Sequence, residues 1–200
     1  MKFGNASVGK GNNIVLVPVK NLYIGPFGAK ISLFRSSIRK AMTFSPDDFD
    51  LKLLMEVQRD AQIPQNELGA RVNLSTAAVN RRLRRLSDEG VIRNYAAIVA
   101  PEKVGYPLTI IATVEVESEQ IDLLDSMKRS FAQCPEVQQC YYVAGEWDFV
   151  LILTVRNMEE YTALTRQLFF SNNNVKRFKT LVSMSSVKVG LGVPVASEGG

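Results

Sequence analysis

Histidine is absent from all 200 residues. Its absence excludes a Ser-His-Asp or Cys-His nucleophile pair, a zinc ion held by imidazoles, and a histidine pH switch. Cysteine is scarce, with only Cys134 and Cys140. Their spacing is neither a CxxC pair nor a disulfide framework, so both read as small buried hydrophobes in a reducing, cytoplasmic setting. No apolar run approaches the roughly 18–20 residues of a membrane helix, so no membrane partner is expected. Acidic residues are missing from residues 1–41, which carry Lys2, Lys10, Lys20, Lys30, Arg35, Arg39 and Lys40. The whole chain holds 24 Lys/Arg against 20 Asp/Glu, net +4, so residues 42–200 hold the other 17 basic residues and all 20 acidic ones, net −3. The basic surplus therefore belongs to the first fifth of the chain.

What remains is ordinary globular composition, 46% hydrophobic and 22% charged, long enough for two small domains. Segment 1–41 is rich in Gly, Asn, Ser and Lys, and its apolar patch Ile14 to Val17 is cut short by Pro18. It lacks the apolar core of a secretory signal. It reads as a disordered extension or a start-site artefact ahead of Met42, with a targeting segment or a basic arm on nucleic acid as alternatives.

Residues 42–100 read as a winged helix-turn-helix with a connecting strand. Pro46-Asp47-Asp48 opens a helix with acids in its first turn, where the dipole is positive. Phe49, Leu53, Leu54 and Val57 make its apolar stripe. Gln65 to Val72 is a short second helix, Asn73-Leu74 a tight turn, and Ser75 the N-cap of a third helix that runs to about Glu89 and ends at Gly90. This spacing predicts helix-turn-helix geometry. In the third helix Val79, Leu83 and Leu86 form the buried stripe. Ala77, Asn80, Arg81, Arg84 and Arg85 lie on the far side and Thr76 near its edge. Asn pairs with adenine, Arg with guanine or phosphate, and a small Ala lets the backbone approach a groove. Arg82 borders the stripe and is expected to pair with an acidic neighbour. From Arg71 to Arg93 there are six arginines and two acids, the charge balance that phosphate contact needs. Val91 to Val99 is β-rich and is expected to form a wing and connecting strand; residues 101–107 read as a hinge.

Residues 108–190 predict a β-α-β-β-α-β unit. Leu108 to Glu117 alternates as a half-buried strand. Glu119 to Ala132 is helical, Val137 to Val143 and Asp148 to Val155 are strands around the turn Ala144 to Trp147, Asn157 caps a second helix, and Val175 to Val189 is a last strand. The fold class is α+β, with a ferredoxin-like βαββαβ sheet carrying both helices on one face. Apolar residues on both strand faces, Ile111, Phe149, Leu151 and Leu153 among them, imply that the open face or an edge is covered by a second copy of the chain. Residues 191–200 are expected to be a flexible tail.

Four stretches carry a family resemblance: Phe49 to Val99, which contains LSTAAVNRRLRRLSDEGVI, then EKVGYPL, then CYYVAGEWDFVLILTV, and finally FKTLVSMSSVK. They resemble the Lrp/AsnC feast-or-famine transcriptional regulators: the LSxxxVxRRxxRLxxxGVI core, the strand-loop-strand glycine-aspartate signature and the closing strand. The resemblance covers residues 46–190. It implies a RAM-type second domain that senses small amino acids or related metabolites and builds dimers, then octamers or larger rings. The partners implied are double-stranded DNA, an amino-acid-like effector and the chain itself. The recognition helix would start at Ser75, with reading residues among Thr76, Ala77, Asn80, Arg81 and Arg84, and Arg85 beside them. The effector loop would be Ala144, Gly145, Glu146, Trp147 and Asp148, with Thr180 and Ser183 reaching a subunit-interface pocket. A positive φ at Gly145 would expose backbone N–H groups to a carboxylate, and Asp148 would accept from an α-ammonium.

The expected function is sequence-specific, effector-responsive DNA binding, with no catalytic residues, metal or cofactor. Two alternatives stand beside it. One is an architectural DNA-compacting protein without an effector. The other is an enzyme akin to tetrapyrrole decarboxylases of similar architecture, against which the missing histidines argue.

Overall fold

The computed structural model describes residues 44–195. The expectations for segment 1–41 lie outside the described residues, as does the end of the expected 191–200 tail.

Helix α1 spans Asp48–Arg59, α2 Gln65–Val72 and α3 Thr76–Asp88. The start of α1 is a reciprocal cap: the Asp47 carboxylate accepts from the Asp50 N–H at 2.9 Å, and Asp50 accepts from the Asp47 N–H at 3.1 Å. Leu53, Ile63, Leu68, Val72 and Val79 form the core of this unit. Between α2 and α3 the chain turns through Asn73 at φ 56°, a left-handed conformation that asparagine tolerates. The turn presses Leu74 onto α2 so closely that a Cβ at Gly69 would lie 2.5 Å from the Leu74 carbonyl oxygen. Glycine is required there by space. Ser75 caps α3, its Oγ accepting from the Ala78 N–H at 3.3 Å. Gly90, at φ +70°, ends the turn that follows the helix, and the Val91 and Ile92 N–H groups fold back onto the Leu86 carbonyl.

The expected wing strand is a correction. Residues 91–100 form no strand, and Ile98 and Val99 are exposed. β-propensity describes side chains that suit a pleated surface, and within the described chain this segment has no strand beside it. Pro101–Val104 forms a 3₁₀ turn ending at Gly105, φ +89°, within the expected hinge.

The second unit follows the predicted order. Strand β1 is Leu108–Val116, helix α4 Ile121–Gln133, β2 Val137–Tyr142, β3 Phe149–Val155, helix α5 Met158–Thr165, a π turn Arg166–Phe170, and β4 Val175–Val182. The sheet order is β2-β3-β1-β4, all antiparallel. Ile110, Ala112 and Val114 of β1 pair with Leu153, Leu151 and Phe149 of β3, and directly opposed residues share a face. All six are fully buried under the helices, with Met127, Phe131, Leu168 and Phe169. Phe131 meets Phe149 edge-on, with centroids 5.4 Å apart.

That register divides the expected apolar residues between the two faces. Phe149, Leu151 and Leu153 belong to the covered face. Ile111 lies on the open face, with Val150, Ile152 and Leu181. Thr113 lies among them, with its hydroxyl buried and without a partner among the described residues. The last strand is also shorter than expected. It stops at Val182, and Met184, Val187, Val189, Leu191 and Val193 are exposed beyond it. The chain still returns to α1: the Gln58 carboxamide donates to the Val193 carbonyl at 3.2 Å and accepts from its N–H at 2.7 Å.

Candidate nucleic-acid interface and effector loop

Helix α3 sorts its side chains by face. Val79 is fully buried in the core formed with α1 and α2, and Leu86 is fully buried as well, as the stripe requires. Ser75, Thr76, Ala77, Asn80, Arg81, Arg84 and Arg85 are exposed. Among the described residues no carboxylate comes within ion-pair distance of Arg81 or Arg84. Asn80 and Arg84 also rim a shallow pocket floored by Val57, Ile63, Leu68 and Leu83.

Arg82 pairs as its border position predicts. Its Nη1 donates to Asp47 Oδ2 at 2.6 Å and to Asp50 Oδ1 at 2.9 Å. These two carboxylates raise the guanidinium's pKa further. Arg85 departs from its predicted role. Its Nη2 donates to Asp50 Oδ2, and its guanidinium lies 5.4 Å from the Phe44 ring centre. Asp50 is fully buried, so both its oxygens are satisfied by arginines of α3 and by the Asp47 N–H. A buried carboxylate is held by such partners because leaving it unpaired costs several kcal/mol. The sequence held a signal for this pairing. The acids read there for the helix dipole are Asp47 and Asp48, yet the acids at N-cap and N3 of α1, Asp47 and Asp50, also face the helix packed across them.

The loop between β2 and β3 is organised by Asp148. Its N–H donates to the Val114 carbonyl at 2.9 Å, its carbonyl accepts from Val143 at 2.8 Å, and its Oδ2 accepts from the Val116 N–H at 2.8 Å. Val116 lies at the irregularity in the β1–β4 ladder, where the register shifts. Asp148 is 7% exposed, and this oxygen is committed to the end of β1. Gly145 differs from expectation too. Its φ is not positive, and a Cβ there would meet open space. Ala144 and Glu146 are exposed.

Trp147 gains a partner that the sequence reading passed over. The Arg177 guanidinium lies 4.7 Å from its ring centre. Arg177 also bonds Glu115 and approaches Glu146 at 3.5 Å, and Lys176 bonds Glu115 at 2.7 Å. These two cations hold the Glu115 carboxyl below its ordinary value. The alternation of β4 was the available signal, since Arg177 and Lys179 fall opposite Phe178 and Thr180. Thr180 itself turns toward the helices, where its hydroxyl bonds Tyr161 at 2.6 Å. Ser183 follows the strand end, its N–H donating to the Thr109 carbonyl and its Oγ to the Ser185 carbonyl. Neither is bonded to the loop. Cys134 and Cys140 have thiols pushed up in pKa, chiefly by burial, as suits small apolar side chains.

Comparison with known proteins gives the same two units. Residues 46–93 match a winged helix-turn-helix DNA-binding model and residues 109–192 the Lrp/AsnC ligand-binding domain. The chain is 43% identical over 149 residues to an HTH-type transcriptional regulator of Sinorhizobium fredii, covering 74% of this chain and 88% of that one. It is 33% identical over 142 residues to the glutamate uptake regulatory protein of Zymomonas mobilis, covering 71% and 86%. Among solved structures it superposes on the regulator NMB0573 of Neisseria meningitidis in complex with L-Met, with TM-score 0.70, 27% identity, and 75% and 97% of the two chains covered. An AsnC family regulator of Agrobacterium tumefaciens fits equally well, with TM-score 0.70, 26% identity, and 74% and 97% covered.

Proposed function

The chain belongs to the Lrp/AsnC family of transcriptional regulators, and from that premise we propose that it reads specific double-stranded DNA sites and changes that binding when a small amino acid or related metabolite occupies its second domain. The observation that carries the first half is the exposed row on α3. Thr76, Ala77, Asn80, Arg81 and Arg84 project from a capped helix, and two of its arginines have no acidic partner among the described residues. Such a row offers bidentate donors to base edges and charge to phosphates.

The effector half rests on the loop Ala144 to Asp148 and on the Neisseria relative's complex with L-Met. Trp147, Glu146, Arg177 and Glu115 bring an aromatic face and both charge signs to one place. Thr180 and Ser183 are left to the helix side and the strand end, so the effector-contacting set narrows to the loop and its β4 neighbour. The site would be completed by a second copy, because Ile111, Val150, Ile152 and Leu181 leave the sheet's open face apolar. Dimers, and octamers or larger assemblies of them, are the forms in which an effector between subunits would reset the spacing of paired α3 helices.

Gel shifts on the region upstream of the chain's own coding sequence test the DNA half. Arg81→Ala and Arg84→Ala are expected to weaken binding about 5- to 100-fold with unchanged melting. Unaltered shifts in both variants would overturn the assignment of this face. Calorimetry against the twenty amino acids tests the effector half, with saturable heat from at least one of them expected. A silent panel would favour the architectural reading, which shares the DNA-binding face and lacks the effector.

A further inference from the structure

Four arginines stand within five positions of α3, at 81, 82, 84 and 85, yet they meet two different fates. Arg81 and Arg84 are exposed with no carboxylate near them among the described residues, while Arg82 and Arg85 converge on the buried Asp50. Arg82 has a second carboxylate in Asp47, its side chain is 21% exposed, and its guanidinium lies beside the Phe49 ring, 5.4 Å from its centre. Arg85 has Asp50 as its one carboxylate among the described residues and keeps 47% of its side chain exposed. It stands next to Arg84 in sequence, on the border of the proposed DNA-facing row.

We propose that Asp50 is a specificity-determining residue for DNA recognition: it withholds Arg85 from phosphate and fixes α3 against α1, so that only Arg81 and Arg84 carry the helix's cationic contacts. Non-specific affinity is a matter of how many phosphates are neutralised. Specific affinity also needs the helix at one angle to the groove. A buried carboxylate that takes up two of four arginines limits the first and enforces the second. Elsewhere in the unit Arg71 is taken up in the same way by Glu56 and Glu67.

The inference rests on the reading of α3 as the recognition helix, and the test separates the two. The probe is a DNA duplex of random sequence, titrated with full-length protein between about 50 and 200 mM salt. Each phosphate contact contributes about 0.9 to the slope of log affinity against log salt, or about a 3-fold difference in the affinity lost across that range. Arg81→Gln should lower the slope by about one contact. Arg85→Gln should leave it unchanged, because Arg85 is committed to Asp50. Asp50→Asn should steepen the slope by about one contact and tighten random-duplex binding, and the double variant Asp50→Asn with Arg85→Gln should return both to the native values. A merely structural role for Asp50 predicts weaker binding to every duplex and no rescue.

If Arg85→Gln lowers the slope as Arg81→Gln does, Asp50 withholds nothing and the proposal is overturned. If neither variant changes the slope, the recognition-face reading has failed first and the proposal with it. Should Asp50→Asn not fold, the Arg81 and Arg85 variants still decide, since both side chains are at the surface.

Discussion

The two units of this chain are held together differently. The three-helix unit has a small core, Leu53, Ile63, Leu68, Val72 and Val79, and supplements it with a buried carboxylate between two arginines. The sheet unit buries many more apolar groups, among them Phe131, Phe149, Phe169 and Leu151, and its ion pairs are confined to the surface. Polar pairing costs desolvation but fixes orientation, whereas apolar burial contributes more per group and specifies angle less strictly. The proposed recognition helix would need to be held at an angle, and the proposed effector loop would need a firm base under it.

Trp147 is the chain's one tryptophan and lies in the sheet unit, so its fluorescence reports that unit, while far-UV dichroism is dominated by the helices. The largest expected effect is Phe131→Ala, which removes a fully buried ring packed on Phe149 and Phe169. It should cost about 3–5 kcal/mol and lower the Trp147 melting transition. An unshifted transition would show that the aromatic cluster is not the base of the sheet unit. Next is Gly69→Ala, which drives a methyl against the Leu74 carbonyl. A cost of about 1–3 kcal/mol should appear in the helical signal and leave Trp147 in place. Equal movement of both signals would erase the contrast between the units.

Acid supplies a smaller effect with a definite sign. Burial pulls the Asp47 carboxyl upward, but the Asp50 N–H and the Arg82 guanidinium outweigh it and hold it below its ordinary value. A carboxyl lowered in the fold contributes stability above its unfolded pKa, and that contribution is lost as pH falls through the folded value. Asp47→Asn should therefore destabilise the three-helix unit at neutral pH, and the gap from the native chain should close below about pH 4. A gap that stays constant with pH would assign the loss to the cap alone. Smallest is Gly145→Ala, where neither φ nor space demands glycine. A change in melting within about 0.5 kcal/mol is expected, and a larger one would mean that the loop is tighter than its open surroundings indicate.

Much of the fold was legible because its signals are local. Ser75, Gly90 and Asn157 cap or end elements where their chemistry requires it, and, the absent wing strand apart, each expected helix and strand starts within two residues of its expected position. The site was legible in part. The α3 face and the pairing of Arg82 followed from helical spacing. Arg177 was missed although strand alternation placed it, because its partners Trp147 and Glu115 come from other elements. Thr180 was placed at the effector site although that same alternation sets it beside Phe178, toward the helices, where it meets Tyr161.

By itself the sequence determined the order and type of the elements, the two-unit plan and the exposed face of the third helix. Periods of 3.6 and 2 residues, caps and glycine turns are properties of neighbours along the chain. Only the tertiary structure decided that Arg85 belongs to Asp50, that Phe149, Leu151 and Leu153 turn to the covered side, that Asp148 secures the end of β1, and that residues 91–100 find no strand to join. Each of these depends on register or helix packing between segments distant in sequence, and no local period encodes which partner a side chain meets there.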